Sequence, residues 1–375
     1  MNRISLVPAL LGAAFVAANT GTAVAAVYNN NNGTTLWSDA GNWAGGTIGD
    51  NGETVQLNPA GTINVDSDFD ISRLQNSSGS GSQTIQTVAA GSGSLTINTN
   101  SASTATAIRN VSLGSPSTMT INTDIVINNT NANPGFSEIR NNNNGGNALV
   151  FGAASTLDLT TDVVVVQAAG GTIEFNGSIE GAGNLRYTHN NVTFGATSNN
   201  STFTGEMVIL NGANITVNTA SGNTFYSGPK FQFNGNGATM ALTLNNADVV
   251  DQVNIRAGGA PTINLTVNAN QTFGDVGLGG STINLTLGAG VTDLDFGDSS
   301  GLSWAGGTLN IVNFTDGVVG FSNINGLTSQ QLSQITIDGG AAALGLDVNG
   351  KLVIPEPGSL ALMGLGATFM IRRKR

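Results

Sequence analysis

The 375-residue chain has no cysteine and a single histidine, His189. Without cysteine there is no disulfide framework, no thiolate nucleophile and no thiolate metal site. Histidine-dependent acid–base catalysis would have to rest on His189 alone, and a lone loop histidine reads as a polar surface residue. Charge is also scarce: charged residues make up 9% of the chain, against the usual quarter. The balance is acidic, with 12 basic and 23 acidic residues. Helical periodicity is nearly missing as well. The scarcity of lysine and arginine excludes nucleic-acid binding through phosphate neutralisation, which needs clustered cations. An acidic body is likewise repelled by anionic membrane surfaces.

What is present is glycine, 52 residues of it, with abundant asparagine, threonine and serine. Hydrophobic residues reach 39% and fall in short alternating runs, which argues for strands rather than disorder. From Thr54 onward these include Thr62-Ile63-Asn64-Val65, Leu95-Thr96-Ile97-Asn98, Met119-Thr120-Ile121-Asn122, Ala241-Leu242-Thr243-Leu244, Thr262-Ile263-Asn264-Leu265 and Thr282-Ile283-Asn284-Leu285. The last two runs start 20 residues apart, Ile97 and Ile121 lie 24 apart, and Leu242 precedes Ile263 by 21. Recurrence near 20 to 24 residues predicts an all-β parallel β-helix, or β-solenoid, whose coils stack on one another. At about 22 residues per coil the body would make roughly 13 to 14 coils and a rod of about 65 Å. Ile, Val, Leu and Phe would point inward, with Thr and Asn outside or laddered along the edges. A β-sandwich is the alternative that shows the same short alternating strands.

Both ends carry addresses. Arg3, an apolar stretch from Ile4 to Ala18 and the small residues Ala23-Val24-Ala25-Ala26 form a secretory signal peptide. Cleavage after Ala25 or after Ala26 fits equally well, so residues 1–26 are set aside as signal. At the other end Pro355-Glu356-Pro357 precludes helix or central strand. Gly358 to Ile371 is uncharged, and Arg372-Arg373-Lys374-Arg375 closes the chain. That apolar segment would span about 21 Å as a helix, short of a hydrocarbon core of about 30 Å, and the basic quartet would stay cytoplasmic. This three-part tail resembles the PEP-CTERM sorting signal of Gram-negative bacteria. The resemblance implies transient inner-membrane insertion, cleavage near Pro355-Glu356-Pro357 by a membrane-embedded exosortase, and release to the surface or matrix. A plain single-span tail anchor is the alternative. Residues 27–354 are then the body, with seven basic and 22 acidic residues and a net charge near −15.

Within the body, Gly181-Ala182-Gly183-Asn184-Leu185, Thr202-Phe203-Thr204-Gly205 and the closing Asn211-Gly212-Ala213-Asn214-Ile215 resemble one autotransporter-associated β-strand repeat. The Trp37 to Trp43 stretch is similar to the entry of surface proteins carrying such repeats. Its two tryptophans are expected to cap the open end of the core, with stacking on sugar rings as the alternative. Near the far end Thr328 and Gln331 form a capping box for a short helix, in which Leu327, Leu332 and Ile335 would cover the last coil.

Two carboxylate clusters remain. Asp66, Asp68 and Asp70 alternate as on one strand face and offer a possible weak calcium site, although Ile71 stands where a calcium-binding EF-hand loop needs glycine. Asp293, Asp295 and Asp298 recur later. Solvated edges that discourage strand pairing are the simpler reading of both. The sequence thus predicts an exported, non-enzymatic structural component of the cell surface or of an extracellular polysaccharide or biofilm matrix. Its partners would be exosortase and exopolysaccharide or other matrix components, with no cofactor beyond possible calcium. A carbohydrate-binding adhesin is the alternative, and a polysaccharide-active enzyme, built on paired acids, the remotest reading.

Overall fold

A computed structural model describes residues 25–355 apart from 59, 77–80, 90–91, 101–103, 112–116, 130, 132–134, 142–145, 161–162 and 169. The sequence alternates because each strand is buried on one side only. In Thr262–Val267 and Thr282–Leu287, for example, every second residue is buried and every other one half-buried. One face of each strand can therefore join a continuous core while the other meets solvent.

The strands form two long sheets, of 17 and 13 strands, and successive coils pair in parallel. Among the described strands the closing hairpins are paired antiparallel, and isolated antiparallel bridges join Tyr28 to Trp43 and Gly320 to Lys351. This parallel, coil-on-coil pairing is that of a β-solenoid and not of a sandwich of antiparallel sheets. In the second sheet one inward column runs Ile63, Ile85, Ile121, Phe151, Phe175, Phe194, Val217, Leu244, Val267 and Leu287, each paired with the next. The phenylalanines of this column stack: Phe151 on Phe175 at 4.9 Å and Phe175 on Phe194 at 5.3 Å.

The first sheet divides in its early part. The long strand Phe69–Asn76 pairs through its first half with Ser94–Asn98 and through its second half with Ala105–Asn110. From there the coils have three sides. One column continues through Asp124–Asn128, Thr156–Leu159 and Ser178–Gly181. The other continues through Ser137–Asn141, Val163–Ala168 and Asn184–Thr188, then Met207–Leu210, Lys230–Asn234 and Asp251–Gly258.

This three-sided stretch corrects the predicted period. Ile97 and Ile121 are not on successive coils; Ile97 pairs with Ile71 and Ile127, whereas Ile121 pairs with Ile85 and Phe151. The 24-residue spacing therefore separates two sides of one coil. Leu242 likewise pairs with Leu265, two residues beyond Ile263. In the second sheet coil length runs from 19 residues, Phe175 to Phe194, to 36, Ile85 to Ile121. The second sheet has twelve parallel strands, while one column of the first sheet, from Ala26–Tyr28 to Val319–Phe321, has the expected 13, so the rod is about 58 Å long at about 4.8 Å per step.

Asparagines tie the coils together from both sides. Inside, Asn76 Nδ2 donates to Asn110 Oδ1 at 2.9 Å and Asn110 Nδ2 to Asn141 Oδ1 at 3.3 Å. Outside, Asn310, Asn284 and Asn264 repeat the pattern at 3.3 and 3.0 Å, as do Asn268, Asn245 and Asn218 at 2.7 and 2.6 Å. Each rung satisfies amide groups that one coil alone would leave unpaired.

Both ends are closed. Trp37, Trp43 and Tyr28 are buried edge-to-face at ring separations of 5.2 Å, with Trp37 Nε1 donating to Gly49 O and Trp43 Nε1 to Trp37 O. This is the expected aromatic cap. The capping box also forms, but the helix is only Ser329–Leu332. It lies inside the last coil, where Gln331 Nε2 donates to Ser299 O and Leu302 O, and Ile335 opens a strand instead. The edge beyond it is covered by the antiparallel pairing of Ile335–Ile337 with Gly340–Ala341.

Candidate functional site

The segment that delivers the chain to its tail is built from its own turn outward. Asp347 Oδ1 accepts from Asn349 N and Lys351 N, both at 2.8 Å, and fixes a tight turn. Gly350 sits at φ +79°, where a Cβ would also meet the Asn323 backbone at 2.6 Å, so this position requires glycine. The returning strand then docks on the last coil: Phe321 N donates to Gly350 O at 2.9 Å and Gly317 N to Leu352 O at 3.0 Å. Leu352 is fully buried, and Ile354 N donates to Asp316 Oδ1 at 3.1 Å.

Lys351 locks this strand to two carboxylates. Its Nζ lies 2.7 Å from Asp295 Oδ1 and also bonds Asp293. Partial burial alone would lower the lysine pKa, but hydrogen bonds and charge from Asp293 and Asp295 outweigh it and raise the value above the usual lysine range. Two members of the second carboxylate cluster therefore hold the chain end. The third, Asp298, accepts from the Ser300 amide and hydroxyl, which lower its pKa.

The first cluster does not converge. Asp66 and Asp68 lie in the corner between Gly61–Val65 and Phe69–Asn76, and only Asp70 is on a strand. Asp66 accepts from Ser38 N and Oγ at 3.0 and 2.5 Å. Asp68 accepts from Ser94 N and Oγ at 3.0 and 2.8 Å, and Asp70 from Asn98 Nδ2 at 2.7 Å. One carboxylate thus faces the N-terminal cap and two face the next coil, because a corner turns the chain between them. Among the described residues no group of three His, Asp or Glu side chains is placed to hold a metal ion. His189 is exposed at φ +55° beside the central repeat.

The repeat-like centre spans more than one coil. Its Gly205 lies so close to the coil before it that a Cβ would meet Gly183 O at 1.8 Å, which explains a glycine after Thr202-Phe203-Thr204. Phe203 itself is buried.

Ala26 opens the strand Ala26–Tyr28 and pairs with Val55, so Ala25 and Ala26 differ in kind: one precedes the fold and the other belongs to it. The rest of the signal segment, and Glu356, Pro357 and Arg372 to Arg375 of the tail, lie outside the described residues. Among the described residues no helix is long and apolar enough to cross a membrane. No curated protein and no solved structure matches the chain. Residues 353–375 match the PEP-CTERM protein-sorting motif, beginning at the last residue of the docked strand Leu352–Val353. The chain thus carries the sorting signal of an exosortase-targeted, exported protein that is transiently anchored in the membrane.

Proposed function

We propose that the exported body is a non-catalytic structural rod of the cell surface or extracellular matrix, built from repeats similar to the autotransporter-associated β-strand repeat. The placement of the aromatic side chains carries this reading. All three tryptophans and all three tyrosines are buried, and among the described residues Phe136 is the exposed aromatic, at 37%. A neutral-sugar adhesin needs an accessible aromatic platform, whereas here the rings lock coil to coil. Asp66, Asp68 and Asp70 likewise accept hydrogen bonds from neighbouring segments of the rod, and Asp293 and Asp295 are both engaged by Lys351.

Replacing Pro355, Glu356 and Pro357 by alanine is expected to leave the protein membrane-bound with its tail intact, while the exported wild type ends near the motif. Mass spectrometry finding Arg375 on the exported wild type would overturn the processing step. Small-angle scattering of the exported protein should give an elongated particle, and a near-spherical one would refute the rod.

A further inference from the structure

The body's scarce cations are not scattered. Six of its seven, Arg73, Arg109, Arg140, Arg186, Lys230 and Arg256, lie on one column of the first sheet, in six different strands. Register places Gln75, Arg109, Arg140 and Gln167 in a single line, one per coil, spaced by about 4.8 Å. Beside it runs a second line of Glu138, Val165, Arg186, Val208, Gln232 and Arg256.

The two ends of this column differ. Toward the C-terminus the cations are already neutralised, Lys230 by Glu206 at 3.0 Å and Arg256 by Asp275 at 2.8 Å. Toward the N-terminus, among the described residues, Arg140 alone has a carboxylate partner, Glu138 at 3.7 Å. Arg73 donates through Nε to Thr106 O, Arg186 covers the exposed Phe136 ring at 4.8 Å, and neither these two nor Arg109 forms an ion pair among the described residues. The carboxylates on the strands of this half are Asp70, exposed and accepting from Asn98 Nδ2, and Glu138, 7% exposed and set between Thr106 Oγ1 at 3.0 Å and Arg140 at 3.7 Å. A body with a net charge near −15 thus keeps three cations without an ion pair, Arg73, Arg109 and Arg186, on one column.

Accepting the surface-rod reading, we propose that this strip of the column binds a carboxylate-bearing polysaccharide laid along the rod axis. The guanidinium fork matches a carboxylate in geometry and charge, and Gln75, Gln167 and Thr188 offer hydroxyl-binding partners between the cations. Charge density selects the ligand. Duplex DNA carries one charge per roughly 1.7 Å, far denser than the strip, and would meet the repulsion of the 22 body acids. Arg73 and Arg109 lie on adjacent coils and Arg186 three coils further on, a spacing that a glycan with one carboxylate every sugar or two can meet. At about 0.1 M salt repulsion from charges beyond about 10 Å is screened while contact pairs persist. Such binding needs no aromatic platform.

The test uses the exported protein in affinity electrophoresis through gels containing polygalacturonate, with dextran as the uncharged control. Retardation is expected in polygalacturonate only and should fade with added salt. The Arg73→Gln, Arg109→Gln and Arg186→Gln triple variant should bind about tenfold to a hundredfold more weakly, at about two- to fivefold per half-buried cation lost. The paired-cation variant Lys230→Gln, Arg256→Gln should bind like wild type, and single Arg109→Gln serves if the triple variant loses its β-type circular dichroism. Equal retardation in dextran, unchanged binding by the triple variant, or tighter binding of duplex DNA would each overturn the proposal. So would salt-sensitive self-association in sedimentation that the triple variant abolishes, since the strip would then be a contact between copies. These readouts are independent of tail processing, so export and structural role stand or fall separately.

Discussion

Truncating Phe175 to alanine tests whether the aromatic column holds the rod together. Phe175 is 1% exposed and stacks on Phe151 at an interplanar angle of 12° and on Phe194 at 22°. Removing a buried phenylalanine costs about 3 to 5 kcal/mol. Part of that is the loss of two stacked neighbours, at about 0.5 to 1.5 kcal/mol each, and Phe175→Leu should lose little beyond this part. Because each coil of a solenoid contacts only its neighbours, the damage should stay local instead of lowering one global transition. Hydrogen exchange reads this directly. The amides of Asn176, bonded to Phe151 O at 2.7 Å, and Gly195, bonded to Phe175 O at 2.9 Å, bridge the affected coils. A loss of 3 to 4 kcal/mol should speed their exchange by about two to three powers of ten, with far coils such as Thr282–Leu287 unchanged. Val348→Ala, at a residue 83% exposed, is the control and should stay within about 0.5 kcal/mol. If Phe175→Ala behaves like this control, or if exchange accelerates uniformly along the rod, the column does not do what its geometry implies.

Three further outcomes follow from the sites. Lys351→Met should free the docked chain end at a cost of about 0.5 to 1 kcal/mol, discounted for the exposure of its partners. Because its folded pKa is raised above the unfolded value of 10.5, the wild-type clamp should hold at neutral pH and be lost as pH rises through the raised value. Limited proteolysis around residue 350 with an alkaline-stable protease checks both statements, and identical nicking of variant and wild type at neutral pH would refute them. Replacing Asp66, Asp68 and Asp70 by asparagine should lower stability by about 1 to 2 kcal/mol, because charge-assisted bonds to Ser38, Ser94 and Asn98 become neutral ones. A calcium-dependent rise in wild-type Tm that the variant lacks would instead restore a metal site. N-terminal sequencing of the exported protein should begin at Ala26, since cleavage after it would remove a paired strand residue; Val27 as the first residue would show that pairing to be dispensable.

The strands were legible because alternation follows from the pleat itself: Thr262-Ile263-Asn264-Leu265 can bury its apolar residues in no other regular way. The capping box and the tryptophan cap were legible for a similar reason, since the first is completed within three residues and the second within the entry segment, Tyr28 to Gly49. Register was not. Coil length is set at the corners, where Asn, Gly and Ser runs vary freely, and a 24-residue spacing could join two sides of one coil as easily as two coils. The aspartates failed at the same point. Asp66, Asp68 and Asp70 alternate like a strand, but the chain turns between Val65 and Phe69 and sends their carboxylates to different coils.

Stacking converts sequence distance into columns, and that conversion governs what this fold can do. Arg109 and Arg140 are 31 residues apart yet adjacent in register, as are Asn110 and Asn141. No short motif records either pairing. A residue type as rare as arginine is in this body can therefore be concentrated on one face by a single placement per coil, while the composition stays acidic overall. The asparagine at the end of each Thr-Ile-Asn run was the visible trace of this rule, because a side chain repeated at one strand position is a ladder once strands stack. For the cations the trace lay in their strand positions, outward in each case, and it becomes readable only when the corners have fixed which strands are neighbours. Function on such a rod is accordingly a property of columns. Substitutions along one column should couple, as neighbours in contact do, whereas substitutions at equal sequence spacing on different columns should add.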